Sequence, residues 1–261
     1  MNGRTFAILG LLILFGCGKP GKRANDFVNA GNAAYNRGDH DAAIREFDEA
    51  MKLDPQNADT FHARGLAYSE KGEYDRAIQD FDEAVKIEPN LANAWNNRGL
   101  AKSLKREYDQ AIADYGECLR LDPRHAAAYV NRGLAYAQGK KDYTKAVADF
   151  DQAIRFDAQR AMAWNNRGLA KLALNDPGAA LRDLNEAIKL DANLAMAWNN
   201  RGMMWAALKE YEKAIADYDV ALKLNASYAN AIQNRGLAKQ ALGAIAEAKI
   251  NLAPGEKGHR R

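Results

Sequence analysis

Cysteine is nearly absent from the chain: Cys17 and Cys118 are the only two in 261 residues. They stand roughly a hundred residues apart in unlike surroundings, which excludes a disulfide framework and leaves each to be explained alone. Histidine is almost as scarce, at four. His40, His62, His125 and His259 fall at unrelated places, none beside a Cys or His at metal-ligand spacing, so no metal is expected. Neither sign of charge dominates, with 37 basic and 34 acidic residues and a net charge of +3. That balance does not advertise a nucleic-acid surface. Carboxylates are plentiful but lie on surface helical positions without a singled-out acid–base pair, and Cys118 occupies a small-residue position without an activating base. The expectation is a protein without cofactor or catalytic residues, and not an enzyme.

Long apolar runs are also missing, with one exception at the start. Arg4 precedes a run from Phe6 to Phe15, broken only by Gly10. It is too short for a membrane span, which needs about 20 residues, and reads as the core of a signal peptide. Leu14-Phe15-Gly16-Cys17 closes it and resembles the bacterial lipobox. That resemblance implies a leader over residues 1–16, a diacylglycerol on the Cys17 thiol, and a short linker completing 17–23. The chain would then be a lipoprotein of the bacterial cell envelope, facing the periplasm and, in a Gram-negative cell, held at the outer membrane. Several acyl chains anchor stably where one does not. The alternatives are an ordinary secretory signal or an uncleaved anchor, with Cys17 incidental. Gly16 to Lys22 imitates a phosphate-binding loop, but Arg23 stands where the magnesium-binding hydroxyl belongs and no strand precedes it.

What is abundant is repetition. Gly31, Gly65, Gly99, Gly133, Gly168, Gly202 and Gly236 recur every 34 residues, with one extra residue in the fourth interval. Four before each glycine stands Phe27, Phe61, Trp95, Tyr129, Trp164 or Trp198, and Ile232 in the last unit. After it come small residues at Ala43, Ala77, Ala111, Ala146, Ala180, Ala214 and Ala248, and four later large ones such as Phe47, Phe81, Tyr115, Phe150 and Tyr218. Spacings of three and four lie on single helical faces, so each unit predicts two amphipathic helices packed large against small. The six prolines avoid helix interiors, and Asp176-Pro177 reads as an N-cap followed by proline at the first helical position.

The pattern resembles the tetratricopeptide repeat. The resemblance implies an all-α fold, an α-solenoid winding as a right-handed superhelix of helix-turn-helix units. Six full units run over 24–57, 58–91, 92–125, 126–160, 161–194 and 195–228. A truncated seventh over 229–252 is expected to be a capping helix pair, with a tail at 253–261. Leucine before the glycine is replaced by arginine, and the Tyr position alternates Tyr68, Lys102, Tyr136, Lys171, Trp205 and Lys239, which hints at duplication of a two-repeat unit.

Those arginines recur with acids on the second helix. Ala30 replaces arginine in the first unit, so pairing within a unit would orphan Glu46, whereas pairing each acid with the next unit's arginine completes every pair. The expected structural ladder is therefore Glu46–Arg64, Asp80–Arg98, Asp114–Arg132, Asp149–Arg167, Asp183–Arg201 and Asp217–Arg235. The competing reading turns the arginines toward a ligand.

The resemblance further implies a concave groove lined by first helices. Asn97, Asn131, Asn166, Asn200 and Asn234 repeat there, although asparagine is a poor helix residue. Such a row can bind the backbone of an extended peptide, or it can bond the neighbouring helix. Leu169 and Met203 make the groove more apolar toward the C-terminus, while Asn32, Tyr35 and Asn36 make it polar at the other end. The partner class expected is a protein or peptide, held by a scaffold anchored to membrane through lipid, with no nucleic acid. Homo-oligomeric self-assembly and a soluble periplasmic adaptor are the alternatives.

Overall fold

The computed structural model describes residues 23–252, with side chains to 245; the signal-peptide, lipobox and tail expectations, Cys17 included, lie outside them. The first six repeats are antiparallel hairpins: α1 (Ala24–Asn36) with α2 (His40–Leu53), α3 (Ala58–Glu70) with α4 (Tyr74–Ile87), and α5 (Ala92–Leu104) with α6 (Tyr108–Leu121). Then follow α7 (Ala126–Ala135) with α8 (Tyr143–Phe156), α9 (Ala161–Ala173) with α10 (Pro177–Leu190), and α11 (Ala195–Ala207) with α12 (Tyr211–Leu224). Each second helix packs on the first helix of the next repeat, and first helices of adjacent repeats also touch one another at α1–α3, α3–α5, α5–α7, α9–α11 and α11–α13. First helices therefore form the inner side of the stack. Among the described residues no helix is long and apolar enough to cross a membrane.

Local chemistry starts and stops these helices. Asp39, Asn57, Asp142 and Asp176 each accept a hydrogen bond from the backbone three residues on, and Pro177 follows at the first helical position. The glycine period is a packing device. A Cβ at Gly202 would lie 2.5 Å from the Tyr218 ring, so only glycine lets the two helices of that hairpin meet.

Two features depart from the simple repeat. The extra residue of repeat four is absorbed by a single π-turn, Tyr136–Lys140, ending on left-handed Lys141. A side chain at Gly139 would run into the Tyr108 ring, so glycine lets the turn lie on the preceding repeat, where Lys140 also bonds Asp109. The second departure corrects an expectation: residues 229–252 form one continuous helix, α13 (Ala229–Leu252), instead of a capping pair. Leu242-Gly243-Ala244-Ile245 lacks the acidic N-cap that opens second helices elsewhere, and no second-helix aromatic faces Gly236, around which a Cβ would meet nothing.

Candidate functional site: the first-helix face and its amide runs

The arginine ladder exists in a different register from the one expected. Each arginine but Arg235, whose helix has no hairpin partner, forks onto the acid of its own hairpin: Arg64 Nε and Nη2 donate to Asp80 at 2.8 and 2.6 Å, and Arg98, Arg132, Arg167 and Arg201 bind Asp114, Asp149, Asp183 and Asp217 in the same way. The inter-repeat bond uses another side chain, two residues beyond the preceding repeat's acid. Arg64, Arg98, Arg167 and Arg235 donate to Asp48, Asp82, Asp151 and Asp219, and Arg201 to Asn185. None of the expected pairs Glu46–Arg64, Asp80–Arg98, Asp114–Arg132, Asp149–Arg167, Asp183–Arg201 or Asp217–Arg235 forms. Antiparallel packing inside the hairpin brings the two positions together, and Glu46 is the resulting orphan, its Oε2 buried without a hydrogen-bond partner. Arg132 has no inter-repeat acceptor because Gly116 fills that position.

The acids are buried, Asp80 to 5% exposure. Burial raises its carboxyl above the usual carboxylate range, with Arg64 pulling the other way. Lys102 and Lys171 add a second cation to Asp114 and Asp183, each at 2.8 Å, which explains the lysines alternating with aromatics. Arg98, Arg167 and Arg201 also lie over the rings of Trp95, Trp164 and Trp198, 4.5, 4.7 and 4.8 Å from their centres. These arginines are structural groups, bound on two sides.

The asparagine row is also bonded largely to itself. Asn234 donates to Asn199, Asn199 to Asn200, Asn200 to Asn165 and Asn165 to Asn166, a run over three repeats. A second run goes from Asn131 to Asn96, from Asn96 to Asn97, and from Asn97 to the His62 ring at 2.9 Å. Burial holds His62 below its ordinary pKa, which suits a neutral ring accepting this bond. Asn97, Asn131, Asn200 and Asn234 thus each commit an amide N–H to the neighbouring repeat, which ties the row into the stack. Asn96, Asn165 and Asn199 are members that sequence reasoning missed; the signal was the Asn-Asn doublet at 96–97, 165–166 and 199–200.

Asn166 is the exception. Its position normally donates to the residue before the asparagine of the preceding repeat, but repeat four has Val130 there. Asn166 is only 7% exposed, and its Nδ2 has no partner. With Leu169 it lines a cleft of about 670 Å³ that centres on repeats four and five and is lined also by Arg106 and Tyr108 of repeat three and Met203 of repeat six. Large apolar side chains stand exposed along the same helix position at Leu100, Leu169, Met203 and Leu237.

The remaining chemistry is sparse. Cys118 is fully buried and burial pushes its thiol up to about 12, as befits an unreactive core residue. Among the described residues no group of three or more His, Cys, Asp or Glu could hold a metal ion.

Comparison with known proteins places this geometry. No curated protein matches the sequence. A Cut9–Hcn1 hetero-tetramer of the APC/C has a TM-score of 0.73 at 20% identity, over 83% of this chain and 42% of that one, so this chain spans less than half of it. PilW, described as a widely conserved type IV pilus biogenesis factor, has a TM-score of 0.72 at 20% identity over 80% of this chain and 96% of its own. YrrB, described as a TPR protein with an unusual peptide-binding site, has a TM-score of 0.57 at 19% identity over 73% and 97%. These likenesses concern the fold. Models of the TPR repeat match residues 31–72 and 66–105, and models of the tetratricopeptide repeat match 92–125, 126–160 and 165–231. The chain belongs to the tetratricopeptide-repeat family.

Proposed function

We propose that the protein is a non-catalytic scaffold, tethered to a bacterial envelope membrane by lipid on Cys17, that holds peptide segments of envelope proteins on its first-helix face. The observation that carries the binding half is the exposed apolar row Leu100, Leu169, Met203 and Leu237. A soluble fold does not ordinarily leave large apolar side chains aligned on one inner surface unless something covers them. The tethered half rests on the lipobox-like Leu14 to Cys17. The structural likeness to PilW and YrrB is compatible with an adaptor role in pilus assembly or peptide capture, without choosing between them.

A photo-crosslinking amino acid at Met203 should capture a partner in cells, and the same probe at Glu186 on the second helix of repeat five should not. Equal capture, or none at Met203, contradicts the groove reading. Labelled palmitate should enter the wild-type protein and not Cys17→Ala; an unlabelled wild type removes the anchor.

A further inference from the structure

The cleft centred on repeats four and five differs from the rest of the groove in three ways that coincide in space. The amide run arriving from the C-terminal repeats stops at Asn166, whose buried donor has no partner: repeat four has Val130 at the position where repeats two, three, five and six supply an acceptor. The π-turn Tyr136–Lys140 contributes Ala137 and Gln138 to the wall beside it, which also carries Leu134, Leu169, Leu172 and Met203. Its rim holds Arg106 and Lys141, no acidic side chain lines it, and among the described residues neither cation forms an ion pair. A cavity that offers an apolar wall, one unsatisfied neutral donor and two unpaired cations is incomplete by itself.

We propose that this cleft receives an extended peptide segment that sets a large apolar side chain beside a carboxylate. The apolar side chain fills the space between Leu134, Leu169 and Met203. A backbone carbonyl accepts from Asn166 Nδ2, the role an asparagine or histidine side chain plays in the other runs. The carboxylate lies toward Arg106 and Lys141. This inference rests on the groove reading above and narrows it to one place and one ligand chemistry.

Arg106 and Lys141 also make the test clean. Both have left-handed backbone, with φ of 64° and 51°, at the turn position where Gly38 and Gly72 stand in the first two repeats. Glycine there relieves conformational strain, so its removal of the cation should not cost folding. Val130→Asn supplies the missing acceptor and should occupy Asn166 without opening a cavity.

The probe is an acetylated, amidated octapeptide carrying Leu-Phe flanked by glutamates, titrated into the full chain and followed by fluorescence anisotropy. Controls replace the glutamates by lysine or Leu-Phe by serine. The glutamate peptide should bind, and each control should bind about ten-fold more weakly or worse. Arg106→Gly with Lys141→Gly, and separately Val130→Asn, should each weaken binding several-fold, about the worth of one or two hydrogen bonds, while thermal stability holds or rises. Binding that ignores these variants but is lost in Leu237→Asp keeps the groove and overturns the cleft. Equal binding of the lysine peptide, or binding of none of the three, overturns it too; the Met203 crosslink judges the groove separately.

Discussion

The two amide runs begin alike and end differently. The N-terminal run, Asn131 to Asn96 to Asn97, closes on the His62 ring, so no buried amide nitrogen in it lacks a partner. The C-terminal run, Asn234 through Asn199, Asn200 and Asn165, reaches Asn166 and stops. The difference is one side chain, Val130 in place of an acceptor. An unsatisfied buried amide costs about 1–3 kcal/mol. The comparison teaches that in a duplicated array the informative position is where the copying fails. Here it fails at repeat four, which also carries the π-turn and, through Gly116, lacks the guanidinium bond to repeat three.

The largest expected effect compares repeats two and three. Arg64→Met leaves the buried Asp80 without a guanidinium and should cost about 3 kcal/mol, read from chemical denaturation. Arg98→Met leaves Lys102 on Asp114 and should cost about half as much; equal losses would show that the lysine does not share the carboxylate. Next comes the contrast between a hairpin and the terminal helix. Gly202→Ala should destabilise by about 1–3 kcal/mol through the Tyr218 contact, while Gly236→Ala, with open space around it, should stabilise by about 1 kcal/mol. Destabilisation by both substitutions would mean that the face of α13 at Gly236 is covered.

The smallest effect concerns the histidine that closes the N-terminal run. The folded His62 pKa lies below its unfolded value of 6.5, so below that pH the unfolded chain takes the proton first. Stability should therefore be complete above pH 6.5 and decline as pH falls, and His62→Gln should flatten that decline. An unchanged pH profile would place the sensitivity elsewhere.

Much of the fold was legible in the sequence because its signals are periodic and local. The 34-residue glycine period, the large residues opposite it and caps such as Asp176 each belong to a single hairpin. The arginine register was not legible, although every arginine and acid in it was. Counting completed pairs assumed that no acid stays unpaired, and Glu46 does; hairpin geometry, which sequence spacing alone does not weigh, decides the partner. The asparagines were visible too, but their acceptors sit one residue earlier in the preceding repeat. That contact depends on how hairpins stack. The capping pair failed for a local reason: residues 242–245 contain no acid to start a second helix.

Asn166 lacks the acceptor that repeats two, three, five and six each supply to the repeat that follows. Denaturant unfolding of Val130→Asn measures this without any ligand. The expected result is a gain of about 1 kcal/mol as the two amide runs join into one. A loss of similar size, as from an amide buried with nothing to bond, would contradict it.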